Sequence, residues 1–253
     1  MTMAMSEQRG SILLVLGGVS TRPIASIDGS TPLEIASLPS IHRITSEGAS
    51  GMVDLFAGPS TVALPGLIAA YAGSPADQSG PWSFSGEFNT RGAFASDASD
   101  VGPVLEAAGL DRLDPSDLSD FAGIGRTVID AIDSYPFLLV HVTAAGECAR
   151  QHDWAGCIEV LERIDGDLVA TLLDSGQRVA ALTITTGWST LPVSGQPLFD
   201  LAPVVMWGPG IRPDGTRKFT EAACSTGALN RLQPRDIPFL LLDQLGLVKK
   251  FEP

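Results

Sequence analysis

Four short apolar runs punctuate the chain, at residues 12–16, 137–142, 179–184 and 203–207. Each is rich in Val, Ile and Leu and lacks apolar–polar alternation, so each predicts a strand covered on both faces. Between them the apolar spacing lengthens to a helical period. Over residues 153–173, Ile158, Leu161, Ile164, Leu168 and Leu172 fall on one stripe, with Asp153 placed as an N-cap. Residues 32–46 and 236–245 carry weaker helical patterns, the second with Asp236 positioned to cap it.

Strand–loop–helix alternation of this kind predicts an α/β domain: a doubly wound, mostly parallel sheet with helices on both faces. In such sheets the chemistry sits on loops beyond the carboxyl ends of the strands. Here those loops are residues 17–23, 143–153 and 185–192. Residues 76–122, with many Gly, Ser, Asp and Pro and weak periodicity, read as an insertion or reduced subdomain within one domain spanning 1–253.

Composition narrows the function classes. A net charge of −13 opposes a nucleic-acid backbone or an anionic membrane as partner, and it makes any anionic ligand depend on local positive groups. The first ten residues have no apolar core of signal-peptide length, and the run from Ile12 to Gly18 is too short to span a bilayer, so a cytoplasmic protein is expected. Cys148, Cys157 and Cys224 form no CxxC and predict neither a disulfide framework nor a Cys-based zinc site. No P-loop, Gly-x-Gly-x-x-Gly, His-Glu-x-x-His or Gly-x-Ser-x-Gly motif occurs.

Five segments, in order, resemble one family. They are ILLVLGGVSTRP, TPLEIASLPSIHRITSEGASG, VHVTAAGECARQHDWAGCIEVLERID, TTGWST and the tail APVVMWGPGIRPDGTRKFTEAACSTGALNRL. Together they resemble the archaeal-type cofactor-independent phosphoglycerate mutases of the alkaline phosphatase superfamily. The resemblance implies an alkaline-phosphatase-like core, here with a reduced cap. It also implies a site in which Asp and His residues hold two divalent metals beside a serine nucleophile, since paired metals neutralise phosphate charge and activate the attacking hydroxyl.

The ligand positions do not carry ligands. The first Asp is Gly17; the Asp and His of the second motif are Gly146 and Arg150; the Asp–His pair of the fourth is Gly187 and Trp188. Gly offers no ligand atom, Trp only donates, and Arg stays cationic. No metal and no cofactor is therefore expected, and mutase chemistry is rejected. The nucleophile position is Ser60, with Thr61 in place of an Asp.

The remaining residues divide between a functional and a structural role. Arg150 is read as an oxyanion clamp or as a surface Arg, with Arg91 and Arg22 as possible helpers. His152 and Glu147 are candidate bases, and Ser60 lacks a partner that would activate it. His141, inside an apolar strand, is read as a structural histidine. Gly17, Gly146 and Gly187 would leave space for a substrate, with Trp188 as its wall or its plug.

Two functions follow. The first is a metal-independent biosynthetic enzyme on a small phosphorylated or sulfated metabolite, losing the oxyanion as leaving group by elimination or intramolecular cyclisation. The alternative is a non-catalytic partner or scaffold subunit in a homo- or hetero-oligomer, for which exposed Trp82, Phe84 and Phe88 would speak. An open pocket holding Ser60, Arg91 and Arg150 favours the first; a site plugged by Trp188 favours the second.

Overall fold

The computed structural model describes residues 9–55, 64–75, 82–115 and 117–248. The strands are β1 (Gly10–Leu16), β2 (Ala49–Asp54), β3 (Gly92–Ser96), β4 (Asp111–Arg112), β5 (Phe137–Val142), β6 (Val179–Thr185), β7 (Ser189–Thr190), β8 (Pro197–Leu198), β9 (Leu201–Trp207) and β10 (Asn230–Leu232). The helices are α1 (Pro32–Ile35), α2 (Pro39–Glu47), α3 (Leu64–Tyr71), α4 (Phe84–Phe88), α5 (Gly102–Ala107), α6 (Phe121–Ala131), α7 (Ala144–Arg150), α8 (Trp154–Arg163), α9 (Ala170–Asp174), α10 (Glu221–Cys224) and α11 (Asp236–Asp243).

Eight strands form one sheet in the order β10-β2-β9-β6-β1-β5-β3-β4. Only β9 runs against its neighbours, β2 and β6. Alternate residues of β1 explain why its run shows no polar face. Ile12, Leu14 and Leu16 enter one core, with α2, α6 and α8, while Leu13 and Val15 enter a second, with α3, α4, α5 and α11. Both faces are covered, so both must be apolar.

The predicted long helix is continuous from Trp154 to Asp174, but a π-helical turn, Ile164–Val169, joins α8 to α9. This turn holds Asp165, buried, whose carboxylate accepts the Ser40 and Ile41 N–H groups at 3.0 and 2.7 Å. Those are orphan donors at the start of α2, whose own preceding residue, Leu38, offers no side-chain cap. Pro39 also explains why the helix expected over 32–46 is two helices, since the residue before a proline is driven out of helical geometry. Asp153 caps α8 through Gly156 N–H (2.9 Å), as predicted. Asp236 is instead the first residue of α11, and its carboxylate turns back to Gln233 N–H (2.8 Å).

The described part of the segment 76–122 contributes to the sheet and to the core. Within it β3 pairs along β5 in the central sheet, and α4 and α5 cover the second core. Two of the three aromatics whose exposure would favour a partner surface are inside: Phe84 stacks on Phe137 at 4.9 Å between ring centres, and Phe88 is also buried. Only Trp82 is half-exposed. Its sequence looked loop-like because β3, GAFAS, is built from small residues; at Gly92 a Cβ would press to 2.9 Å from the Phe84 ring.

Candidate functional site

The site lies where β1, β5 and β6 end side by side. Each strand hands its next residues to a rigid frame. After β1, the Glu221 carboxylate from α10 accepts Ser20 O–H (2.9 Å), Thr21 N–H (3.1 Å) and Thr31 O–H (3.1 Å), pinning the turn. After β6, Thr190 of β7 donates its hydroxyl to Gly18 O (2.7 Å) and its N–H to Ser20 O (2.8 Å). After β5 the expected loop is a helix, α7. Asp97, just past β3, accepts Thr143 N–H (2.8 Å) and Thr143 O–H (2.9 Å) and so anchors the start of α7 across the sheet. Burial pushes the Asp97 carboxyl up from its ordinary range, against these hydrogen bonds.

The three glycines do not leave empty space. Any Cβ on Gly17 would overlap the Trp188 ring, and any Cβ on Gly146 would overlap the Gly17 carbonyl oxygen. At Gly187 the backbone is left-handed (φ 69°), and a Cβ would come within 2.8 Å of Val15 Cγ1. Trp188 itself is buried, 7 % exposed, in the second core. Thus an indole and a close helix–strand approach occupy the positions that the resemblance assigns to metal ligands.

A cavity of about 190 Å³ remains beside this packing. Its wall includes His141, Thr143, Glu147, Arg150, Trp188 and Thr190. Trp188 is therefore plug and wall at once. Arg150, at the end of α7, is well exposed and ion-paired one turn back to Glu147, Nε to Oε2 at 2.8 Å. The Arg150 guanidinium, helped by Gln151, holds the Glu147 carboxyl down at about 2. A depressed pKa means the pair stabilises the fold above the ordinary carboxylate range and is lost as pH falls towards 2; being exposed, it is screened by solvent and contributes little. Glu147 is thus a poor base, contrary to the expectation from sequence.

The other expected residues are dispersed. His152 follows α7 in a left-handed conformation (φ 61°), exposed and edge-on to Trp154, and is not part of the cavity wall. Arg91 immediately precedes β3, at the amino end of the sheet, where it pairs with Asp111 (2.7 Å) and Tyr135 (3.0 Å); a parallel sheet separates it from Arg150 by the length of a strand. Arg22 is exposed, 4.0 Å from Asp200. Cys148 is half-buried with its thiol pushed up by burial, so it is no activated thiolate. Ser60 and Thr61 lie outside the described residues.

Sequence reasoning passed over Asp97, Thr143 and Thr190, which frame the cavity, and Asp100 on its rim. The only signal for Asp97 and Thr143 was an acidic residue and a Thr that each follow an apolar stretch, forty-six residues apart.

The residues present do not fit a bimetallic centre. The space next to Gly17 is filled by the Trp188 ring, Arg150 brings positive charge, and among the described residues no group of three or more His, Cys, Asp or Glu is placed to hold a metal ion. No helix of the described residues is long and apolar enough to cross a membrane.

Known proteins agree with the scaffold. A 2,3-bisphosphoglycerate-independent phosphoglycerate mutase 1 of Methanocaldococcus jannaschii is 28% identical over 174 residues, 66% of this chain and 42% of that protein. The corresponding mutase of Pyrobaculum calidifontis is 32% identical over 131 residues, 50% of this chain and 30% of that one. The chain thus spans less than half the length of these relatives. Among solved structures, the PH0037 protein of Pyrococcus horikoshii superposes with a TM-score of 0.89 at 18% identity, covering 98% of this chain and all of that one. A cofactor-independent phosphoglycerate mutase of Thermoplasma acidophilum gives 0.71 at 15% identity, covering 93% of this chain and 99% of that one. An alkaline phosphatase from the Antarctic bacterium TAB5 gives 0.56 at 12% identity, covering 95% and 98%. Residues 114–244, which carry α7, β6 and Trp188, match the Metalloenzyme superfamily, and the chain belongs to that superfamily, with archaeal-type cofactor-independent phosphoglycerate mutases among its homologues.

Proposed function

We propose that the protein is a metal-independent enzyme acting on a small phosphate or sulfate ester, with Arg150 receiving the departing oxyanion. The observation that carries this reading is the cavity beside Trp188, which keeps Arg150 at its mouth after the metal positions have been filled. A guanidinium forms paired hydrogen bonds to a tetrahedral oxyanion, and Arg150 can exchange its Glu147 carboxylate for a ligand's oxygens. The rim also carries Asp100, so the cavity suits a molecule with a cationic or polar end besides its anionic one.

Neither expected base is a strong one here, which narrows the chemistry. Glu147 is a weakly basic carboxylate, bonded to Gln151 as well as to Arg150, and His152 faces solvent. A reaction needing little from a protein base is intramolecular displacement. The substrate's own nucleophile, for example an amine, attacks the carbon bearing the ester oxygen. A carbon–nitrogen bond forms, the carbon–oxygen bond breaks, the electron pair leaves with the phosphate or sulfate, and the ammonium proton passes to solvent. A cavity that folds the substrate into the attacking geometry supplies much of the barrier reduction. The partner-subunit reading draws nothing from Phe84 and Phe88, which are core residues, but the seating of Trp188 on Gly17 favours it, and the cavity that remains beside the indole is what favours the enzyme.

The test is release of inorganic sulfate or phosphate from a panel of small amino-alcohol O-sulfates and O-phosphates, followed by ion chromatography in the presence of chelator. The expected result is turnover that chelator leaves unchanged. Arg150→Gln should weaken binding of inorganic sulfate about 10- to 100-fold, the range for losing a charge-assisted hydrogen-bonded pair. Glu147→Gln should strengthen it severalfold by freeing the guanidinium. Unchanged sulfate affinity in both variants would remove Arg150 from the site.

A further inference from the structure

Among the described residues, His141 is the one cavity-wall side chain with a buried polar atom that has no hydrogen-bond partner. It lies at the carboxyl end of β5, 1 % exposed, with its ring 5.8 Å from that of Trp188. Its Nδ1 is 3.0 Å from Ser96 Oγ, whereas its Nε2 is buried with no protein partner. A buried polar atom in that state is costly to the fold, so its retention calls for a use.

The surroundings fix which proton it carries. Ser96 Oγ already accepts Ala98 N–H at 3.1 Å, leaving its hydroxyl proton to be placed. Giving that proton to His141 Nδ1 satisfies both atoms at once and puts the ring proton on Nε2. The opposite tautomer leaves the Ser96 proton without this acceptor and Nε2 as a bare lone pair, two unmet groups instead of one. Burial also holds the imidazole far below its ordinary value, at about 3, so it stays neutral.

We infer that His141 is a binding residue of the cavity, a neutral Nε2–H donor directed at an oxygen of the ligand's phosphate or sulfate group opposite Arg150. This rests on the reading of the cavity as an oxyanion site and deepens it. One cationic and one neutral donor hold the leaving group from two elements, α7 and β5, without adding a second charge to desolvate. In sequence His141 looked structural because it stands inside an apolar strand; the unpartnered Nε2 becomes visible only in the structure.

The chain has three histidines, His42, His141 and His152, so long-range proton–nitrogen spectra of histidine-labelled protein resolve each ring. The experiment is a titration with inorganic sulfate of wild type, Arg150→Gln and His141→Phe. The expected result is an Nε2–H tautomer for His141, an Nε2–H resonance that moves downfield with saturating sulfate, and about tenfold weaker sulfate binding in His141→Phe without loss of folding stability. An Nδ1–H tautomer overturns the inference whatever sulfate does. Sulfate that perturbs the Arg150 guanidinium but not the His141 ring, or that binds His141→Phe as tightly as wild type, overturns it while the Arg150 reading stands. Sulfate that perturbs neither residue overturns the Arg150 reading and this inference with it.

Discussion

Replacing Trp188 by Ala should destabilise the fold by about 3–5 kcal/mol, the cost of removing a buried aromatic whose surroundings cannot collapse. The indole is 7 % exposed and packs on Gly17 among the residues of the second core. Thr190, Gly18, Ser20 and Glu221 lock the backbone around it, so the void would not close. Equilibrium denaturation is the readout, and a cost below about 1 kcal/mol would mean a tryptophan lying loosely over an open site. The same experiment has a second arm. Gly17→Ala alone should cost about 1–3 kcal/mol, because its Cβ meets the indole, and should cost little in the Trp188→Ala background. A coupling near zero would separate the two residues. Restoring an Asp at position 17 should therefore disrupt packing before it restores any metal affinity.

Gly146→Ala should be at least as damaging, about 3 kcal/mol, and Trp188→Ala should not rescue it. Its Cβ would collide with the Gly17 carbonyl oxygen and press towards Gly18 Cα, both backbone groups. To make room, α7 must lift off β1, although Asp97 holds its first turn to the sheet. Arg150 and Glu147 ride on that helix, so sulfate affinity should fall along with stability. Calorimetric titration with sulfate on the folded fraction checks this. A Gly146→Ala variant of wild-type stability would show that α7 and β1 are farther apart than the close approach described above.

How much of this was legible in the sequence follows from the range of the interactions involved. The runs at 12–16, 137–142, 179–184 and 203–207 became strands because a run buried on both faces needs only local apolarity to be recognised. Asp153 was legible as a cap because its partner, Gly156 N–H, is three residues away. Asp165 was not, because its partners at Ser40 and Ile41 are more than a hundred residues distant. The same holds for α7: AAGECAR has a glycine in its first turn and little periodicity, and its start is secured by Asp97 from beyond another strand.

At the site, the family resemblance located the three loop positions, and the structure brings them together. It did not give their packing. Gly17, Gly146 and Gly187 read as vacancies because a sequence shows the missing Cβ but not the neighbour that fills its place. Arg91 followed the family pattern in sequence, yet its position before β3 puts it at the wrong end of the sheet. Glu147 looked like a free carboxylate until Arg150, one turn on, proved to be its partner.

The most direct measurement of the central claim is a crystal structure grown with sulfate and Mn²⁺, with anomalous scattering recorded at the manganese edge. The account predicts a sulfate in the cavity between Arg150 and His141, the Trp188 ring still seated on Gly17, and no anomalous peak at positions 17, 146, 150, 187 and 188. Two manganese peaks there, with Trp188 swung away, would contradict it and return the chain to the metal chemistry of its superfamily.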